Sequence, residues 1–170
     1  YFNTNNLWVD LEVLARVLPD GFVPMATTDV VVSGRVVIDS PDAIARQVLV
    51  IPDAMLSMLP AINGQQAGAL TCEFLRVFDG GELEISGDAC AIDARDVVFD
   101  GPQPLNWNSG VINLQDGSLN SPDAPLSING TLQGSGVVDA NVECIGVIAP
   151  ADMLSINGDL MMNADGAIRI

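Results

Sequence analysis

The sequence predicts a mainly β fold: serial antiparallel hairpins forming a curved sheet, a half-pipe or roll, with one to three short helices near the N-terminus. Three observations carry this. First, a short phrase occurs twice, Leu126-Ser127-Ile128-Asn129-Gly130-Thr131-Leu132 and Leu154-Ser155-Ile156-Asn157-Gly158-Asp159-Leu160. Looser versions run from Val30 to Val36 and from Leu83 to Ala89, so that Gly34, Gly87, Gly130 and Gly158 occupy one position of the pattern. Its alternation is that of a half-buried strand, and its glycine suggests a bulge or bend. Second, beyond residue 64 turn signals recur at intervals of about 8–12 residues, as in all-β domains. Third, hydrophobic residues make up 49% of the chain but aromatic ones only 5%, so the interior must be filled by aliphatic side chains.

At 170 residues the chain is expected to form a single domain with a real core. Residues 1–63 read as a mixed helix and strand part, and residues 64–170 as the repeated hairpin part. Taken in order, residues 7–18 have apolar side chains at helical spacing, ended by Pro19-Asp20-Gly21. Residues 28–38 are β-branched and read as one strand. Ser40 caps an expected short helix over residues 41–47, with Pro41 at its first position. Residues 48–51 form a short apolar run, and residues 54–59 a second short helix closed by Pro60. From there the expected strands are 69–78, 82–90, 91–99, 105–114 with a bend at Ser109-Gly110, 118–119, 125–132, 136–148, 153–162 and 167–170. Asp79-Gly80-Gly81 and Gln115-Asp116-Gly117 are expected hairpin turns. The two copies of the phrase lie 28 residues apart (154 − 126), which fits two strands and their connections. The strand after Asn163-Ala164-Asp165-Gly166 is expected to form an open edge that can pair with another chain.

Charge narrows the function. Six basic residues, all Arg, face 22 acids, for a formal net charge of −16. Such a chain is repelled by nucleic acid and by anionic membrane surfaces. There is no His, which removes the commonest general base and a common zinc ligand, and excludes Ser-His-Asp and Cys-His chemistry within the chain. Carboxylates occur in pairs, Glu82 with Glu84, Asp93 with Asp96 and Asp10 with Glu12, but no pair is placed across a cleft by the sequence. The five Asp-Gly steps lack the ligand pattern of a calcium loop and read as turns. Trp8 and Trp107 read as packing residues. Asn129-Gly130-Thr131 matches a glycosylation acceptor in form, inside the repeated phrase. Cys72 and Cys90 flank the expected hairpin and are candidates for a disulfide, which needs an oxidising compartment. Cys144 is an alternative partner, and three buried free thiols is the other reading. No catalytic residue, cofactor or metal is expected, and no enzyme activity. No run of 18 apolar residues exists. The first residue is Tyr1, so the expectation is a processed form or fragment, with any anchor or targeting segment upstream.

The repeated phrase, at 126–132 and 154–160 and more weakly at 30–36 and 83–89, resembles the periplasmic β-rich regions of AsmA-like proteins and of protein N of the bacterial type II secretion system. The segment Leu105-Asn106-Trp107-Asn108-Ser109-Gly110-Val111-Ile112-Asn113-Leu114 is similar to the Trp-containing strands of the latter. The resemblance covers roughly residues 64–170. It implies a long, curved antiparallel sheet with an apolar concave face, and a membrane anchor that this segment lacks. It implies a non-enzymatic structural or docking component of a bacterial envelope machine acting in protein secretion. Such a component is periplasmic or otherwise extracytoplasmic, inner-membrane anchored in a full-length form, and partnered by other envelope or secretion proteins. The alternative it implies is a lipid-binding or lipid-transfer groove, if the dry face of strands such as 82–90 stays uncovered. A third expectation, from the acidic, glycine-rich composition and the open edge, is a self-assembling surface or filament subunit.

Overall fold

A computed structural model describes residues 29–58, 60, 66–102 and 105–170. The expected helix over residues 7–18 lies outside them. Among the described residues there are fifteen strands and no helix, and every strand pairing is parallel. The chain winds as a β-solenoid in which each layer supplies one strand to a first face and a shorter or equal one to a second face. The layers are β1 (Asp29–Val32) with β2 (Arg35–Ile38), β3 (Ala43–Val50) with β4 (Met55–Met58), and β5 (Ala69–Val77) with β6 (Glu82–Ile85). They continue as β7 (Ala91–Phe99) with β8 (Leu105–Trp107), β9 (Val111–Asn120) with β10 (Leu126–Ile128), and β11 (Thr131–Asp139) with β12 (Val142–Cys144). The last are β13 (Val147–Ile156) with β14 (Leu160–Met162), then β15 (Ala167–Ile168). The first face is one sheet, β1-β3-β5-β7-β9-β11-β13-β15. The second is two sheets, β2-β4-β6-β8 and β10-β12-β14.

This overturns the antiparallel half-pipe. Alternation tells which side chains share a face and is blind to the direction of the neighbouring strand. Asp79-Gly80-Gly81, read as a hairpin turn, is a corner between β5 and β6, where the chain passes from one face to the other instead of reversing. Ser33-Gly34 separates β1 from β2 within the stretch read as one strand. The expected helix at 41–47 belongs to β3, and the one at 54–59 to β4, because ladder bonds to β5 and β6 override local helix preference. Asp116-Gly117 is no hairpin turn but a bulge inside β9, opposite the step from Ala94 to Asp96 in β7, and Asp116 itself takes φ 57°.

Side chains of like character stack in columns through the layers. Leu70, Ile92, Ile112, Leu132, Ile148 and Ile168 are successive partners on the first face. Val48, Leu75, Val97, Leu119 and Val138 form another column, and all five are buried. Leu56 and Leu83 stack on the second face, as do Met58, Ile85 and Trp107. Between the two inward columns the alternation skips a step. Arg46 and Gln47, Glu73 and Phe74, and Arg95 and Asp96 all face outward in pairs, which bends each strand around the core. The buried side chains from Val32 to Ile148 make one continuous core. The dry face is therefore turned inward and packed, and the described strands form no open apolar groove along their length.

Candidate functional sites at the split second face and the last layer

The corners decide where the stack is closed. From β5 on, the residue just before each first-face strand is small: Gly68, Cys90, Gly110, Gly130, Gly146 and Gly166 precede β5, β7, β9, β11, β13 and β15. Each of the first five accepts a hydrogen bond through its carbonyl from the first residue of the next long strand, as Gly110 does from the Thr131 N–H at 2.8 Å and Gly130 from the Val147 N–H at 2.9 Å. A Cβ on Gly130 would lie 2.2 Å from Trp107 Nε1 and 2.4 Å from the Gly110 oxygen, so the corner admits only glycine there. Of the repeat glycines named from sequence, Gly34, Gly87, Gly130 and Gly158 all fall at corners, but only Gly130 belongs to this column. Gly158 sits at the other kind of corner, between β13 and β14. The signal that sequence reading missed is the tripeptide small–(Ala, Val or Thr)–(Ile or Leu), found at 68–70, 90–92, 110–112, 130–132, 146–148 and 166–168.

Between β8 and β10 the second face splits. Trp107 is buried beneath the Gly130 corner and donates from Nε1 to the Gly110 oxygen at 3.3 Å, so the two layers are closed at that end. Toward Pro102 and Pro125 they separate. Proline has no N–H to give to a ladder, and Pro122 and Pro125 occur within the connection from β9 to β10. That connection is pinned by its own side chains. Ser121 Oγ donates to the Ala124 oxygen at 2.9 Å, and the Gly101 N–H donates to Asp123 Oδ2 at 3.1 Å, tying it to the layer before.

The separation opens a wedge-shaped cavity of about 620 Å³. Pro102, Leu105 and Pro125 give it apolar surface over the buried Phe99 and Leu126, and Asn106 and Ser127 face it from the two sides of the split. Glu82 and Glu143 bring carboxylates. Glu143 is steadied by Asn163, whose Nδ2 donates to its Oε1 at 2.9 Å. Glu84, on the same outer face as Glu82, is held by Ser57 Oγ at 2.9 Å and Ser86 Oγ at 3.1 Å. Asp93 accepts from Asn113 and Asp96 from Ser118, so this carboxylate pair is spent on bonds between neighbouring strands. Asp10 and Glu12 lie outside the described residues.

The last layer is the second candidate. Leu160 and Met162 of β14 continue the inward columns of Val142 and Cys144, yet both are exposed. Met153 is 71% exposed, in the bulge between Pro150 and Leu154, and Met161 is 56% exposed. β15 covers only Val147 and Ile148 of β13, so among the described residues the outer edges of β14 and of the second half of β13 carry no strand.

Cys72, Cys90 and Cys144 are all buried and no disulfide joins them, so the Cys72–Cys90 bridge is not formed. In register Cys72 is opposite Ala94, four residues beyond Cys90, a separation of about 13 Å at strand rise, where a disulfide needs Cα atoms within about 7 Å. Burial, with the Asp93 charge nearby, pushes the Cys72 thiol up to about 12. Burial also raises Cys90 and Cys144. Among the described residues no group of three or more potential ligands is placed to hold a metal ion, and no helix is long and apolar enough to cross a membrane. Comparison of the chain with protein-family models, with curated proteins and with solved structures finds no match.

Proposed function

We propose that this chain is a non-enzymatic structural protein that docks through its last layer, and that the first occupant of that layer is a second copy of the chain. The observation that carries the reading is the exposure of Leu160, Met161, Met162 and Met153 at a layer whose edges are open. A parallel stack buries each layer against the next, so an uncovered layer leaves both ladder groups and apolar side chains unsatisfied. Two copies meeting about a two-fold axis bring the same surface together and pair their edge strands antiparallel, which closes the assembly. The bulge at 151–153 and Pro150 blunt the middle of β13, so pairing is confined to β14 and the end of β13.

Docking of another protein's strand at the same layer is the second reading. The same open edges favour it, and it is the form closest to the envelope-machine role implied by the resemblance. The oxidising compartment expected from a Cys72–Cys90 bridge has no support where no disulfide joins the two, and lipid carriage has none from a core packed shut. The test is the solution mass across concentration, with Met153→Lys/Met161→Lys as the control. Self-docking requires a mass that rises with concentration in the native chain and stays monomeric in the variant.

A further inference from the structure

We infer that the wedge between β8 and β10 is a binding site for a cationic nitrogen carried on an alkyl stem, an amine or a guanidinium. Its size falls in the usual range for ligand pockets, about 300–1,000 Å³. Its chemistry is graded. Leu105, Pro102 and Pro125 offer apolar contact for a stem, Asn106 and Ser127 offer hydrogen bonds from opposite sides, and Glu82 and Glu143 offer negative charge. No described lining residue is cationic. The arginines that form ion pairs are engaged elsewhere, Arg46 with Asp29, Arg76 with Asp100 and Arg95 with Asp96. A chain of net charge −16 also draws cations toward any concave surface that carries its acids.

The split itself is the second reason. β8 and β10 are consecutive second-face strands, and the ladder found at every other step of that face is absent only between them, among the described residues. The peptide groups along their facing edges are therefore not bonded to each other, and they border the wedge. The loop that holds the wedge open is anchored by Ser121 and Asp123, so the cavity is built into the layer. A free aliphatic diamine and a Lys or Arg side chain of a partner polypeptide share the required chemistry.

The test is calorimetric titration of the full chain in about 0.15 M salt, where long-range attraction is screened. The probes are 1,4-diaminobutane and a blocked Val-Arg-Val tripeptide. The site variant is Glu82→Gln/Glu143→Gln, and the control is Asp152→Asn/Asp165→Asn, which removes the same charge at the far end. The expected result is saturable one-to-one binding of at least one probe, about tenfold weaker or more in the site variant and unchanged in the control. Binding of the diamine as tight as that of the peptide identifies a free amine, and binding of the peptide alone identifies a partner's side chain. Saturation by neither probe, or equal weakening in both variants, overturns the site. Matching thermal melts of the variants exclude unfolding as the cause. Glu143 is the register partner of Met161 in the last layer, so the titrations are run at a concentration where light scattering gives the monomer mass, which separates failure of the site from failure of self-docking.

Discussion

A methyl group at Gly130 has nowhere to go, because the Trp107 ring and the Gly110 carbonyl both stand within 2.4 Å of where it would sit. Gly130→Ala is therefore expected to cost about 1–3 kcal/mol, the usual range for overpacking. Gly80 makes the useful contrast. Its nearest neighbour is Pro52 at 3.6 Å, so there is room, but its φ of +79° is left-handed. Gly80→Ala is expected to cost about 1–2 kcal/mol from backbone strain alone, and urea melts of the two variants separate the mechanisms. The cysteines make a pH argument. Cys72 keeps its proton in the folded chain up to about pH 12, whereas the unfolded thiol loses it near 9. The unfolded state thus releases a proton first as pH rises, and stability falls between about pH 9 and 12, by up to about 1.4 kcal/mol per unit for this group. At pH 7.5 the expected outcome is three thiols unreactive to a thiol reagent in the native chain, and three reactive in denaturant. At this scale the sequence was legible for character and not for partners. Glu82 and Glu84 do share an outer face as their spacing requires, and Leu56 and Met58 are core residues. That Cys72 lies opposite Ala94 could not be read, because register between layers is set by corner lengths that vary from one layer to the next.

Strand β7 spans Ala91–Phe99, the same bounds that alternation and turn residues indicate, and β5 falls one residue short of the expected 69–78. What failed was direction. An antiparallel hairpin about Asp79-Gly80 would bring Thr71 opposite Asp88, whereas the parallel stack puts it opposite Asp93. Paired cysteines discriminate the two. Thr71→Cys/Asp93→Cys is expected to crosslink fully under mild oxidation, since parallel neighbours lie about 4.8 Å apart, while Thr71→Cys/Asp88→Cys stays reduced. Mass spectrometry of peptides reads both. The repeated phrase misled for a related reason. Leu126–Leu132 turns from the second face to the first, and Leu154–Leu160 turns from the first to the second. Its spacing of 28 residues therefore spans about one and a half layers, and no single repeat unit has that length. The true repeat was present as the small residue before each first-face strand from β5 on, but Cys90 breaks the glycine pattern and the intervals are uneven. The split beside β8 was foreshadowed only by the prolines at 102, 122 and 125.

Across the described residues, one face runs unbroken while the other divides, and the last described layer has apolar side chains in view. In such stacks stability is shared between neighbours, so amide exchange is expected to be slowest in β5, β7 and β9 and fastest in β14 and β15. Hydrogen exchange resolved by peptide checks that gradient, and uniform protection through β15 would contradict an uncovered layer at β14 and β15. The exposed methionines and leucine can each contribute about 1.5–3 kcal/mol when fully buried, and several are half-buried already. Association costs about 4–15 kcal/mol, and two chains of charge −16 repel each other. The dimer is therefore weak, and salt that screens the repulsion strengthens it. Light scattering across a wide concentration range at about 0.5 M NaCl tests the central claim most directly. The expected result is a mass that climbs from 17.8 kDa toward twice that value and returns to the monomer in Met153→Lys/Met161→Lys. A mass that stays at the monomer value at every concentration would contradict it.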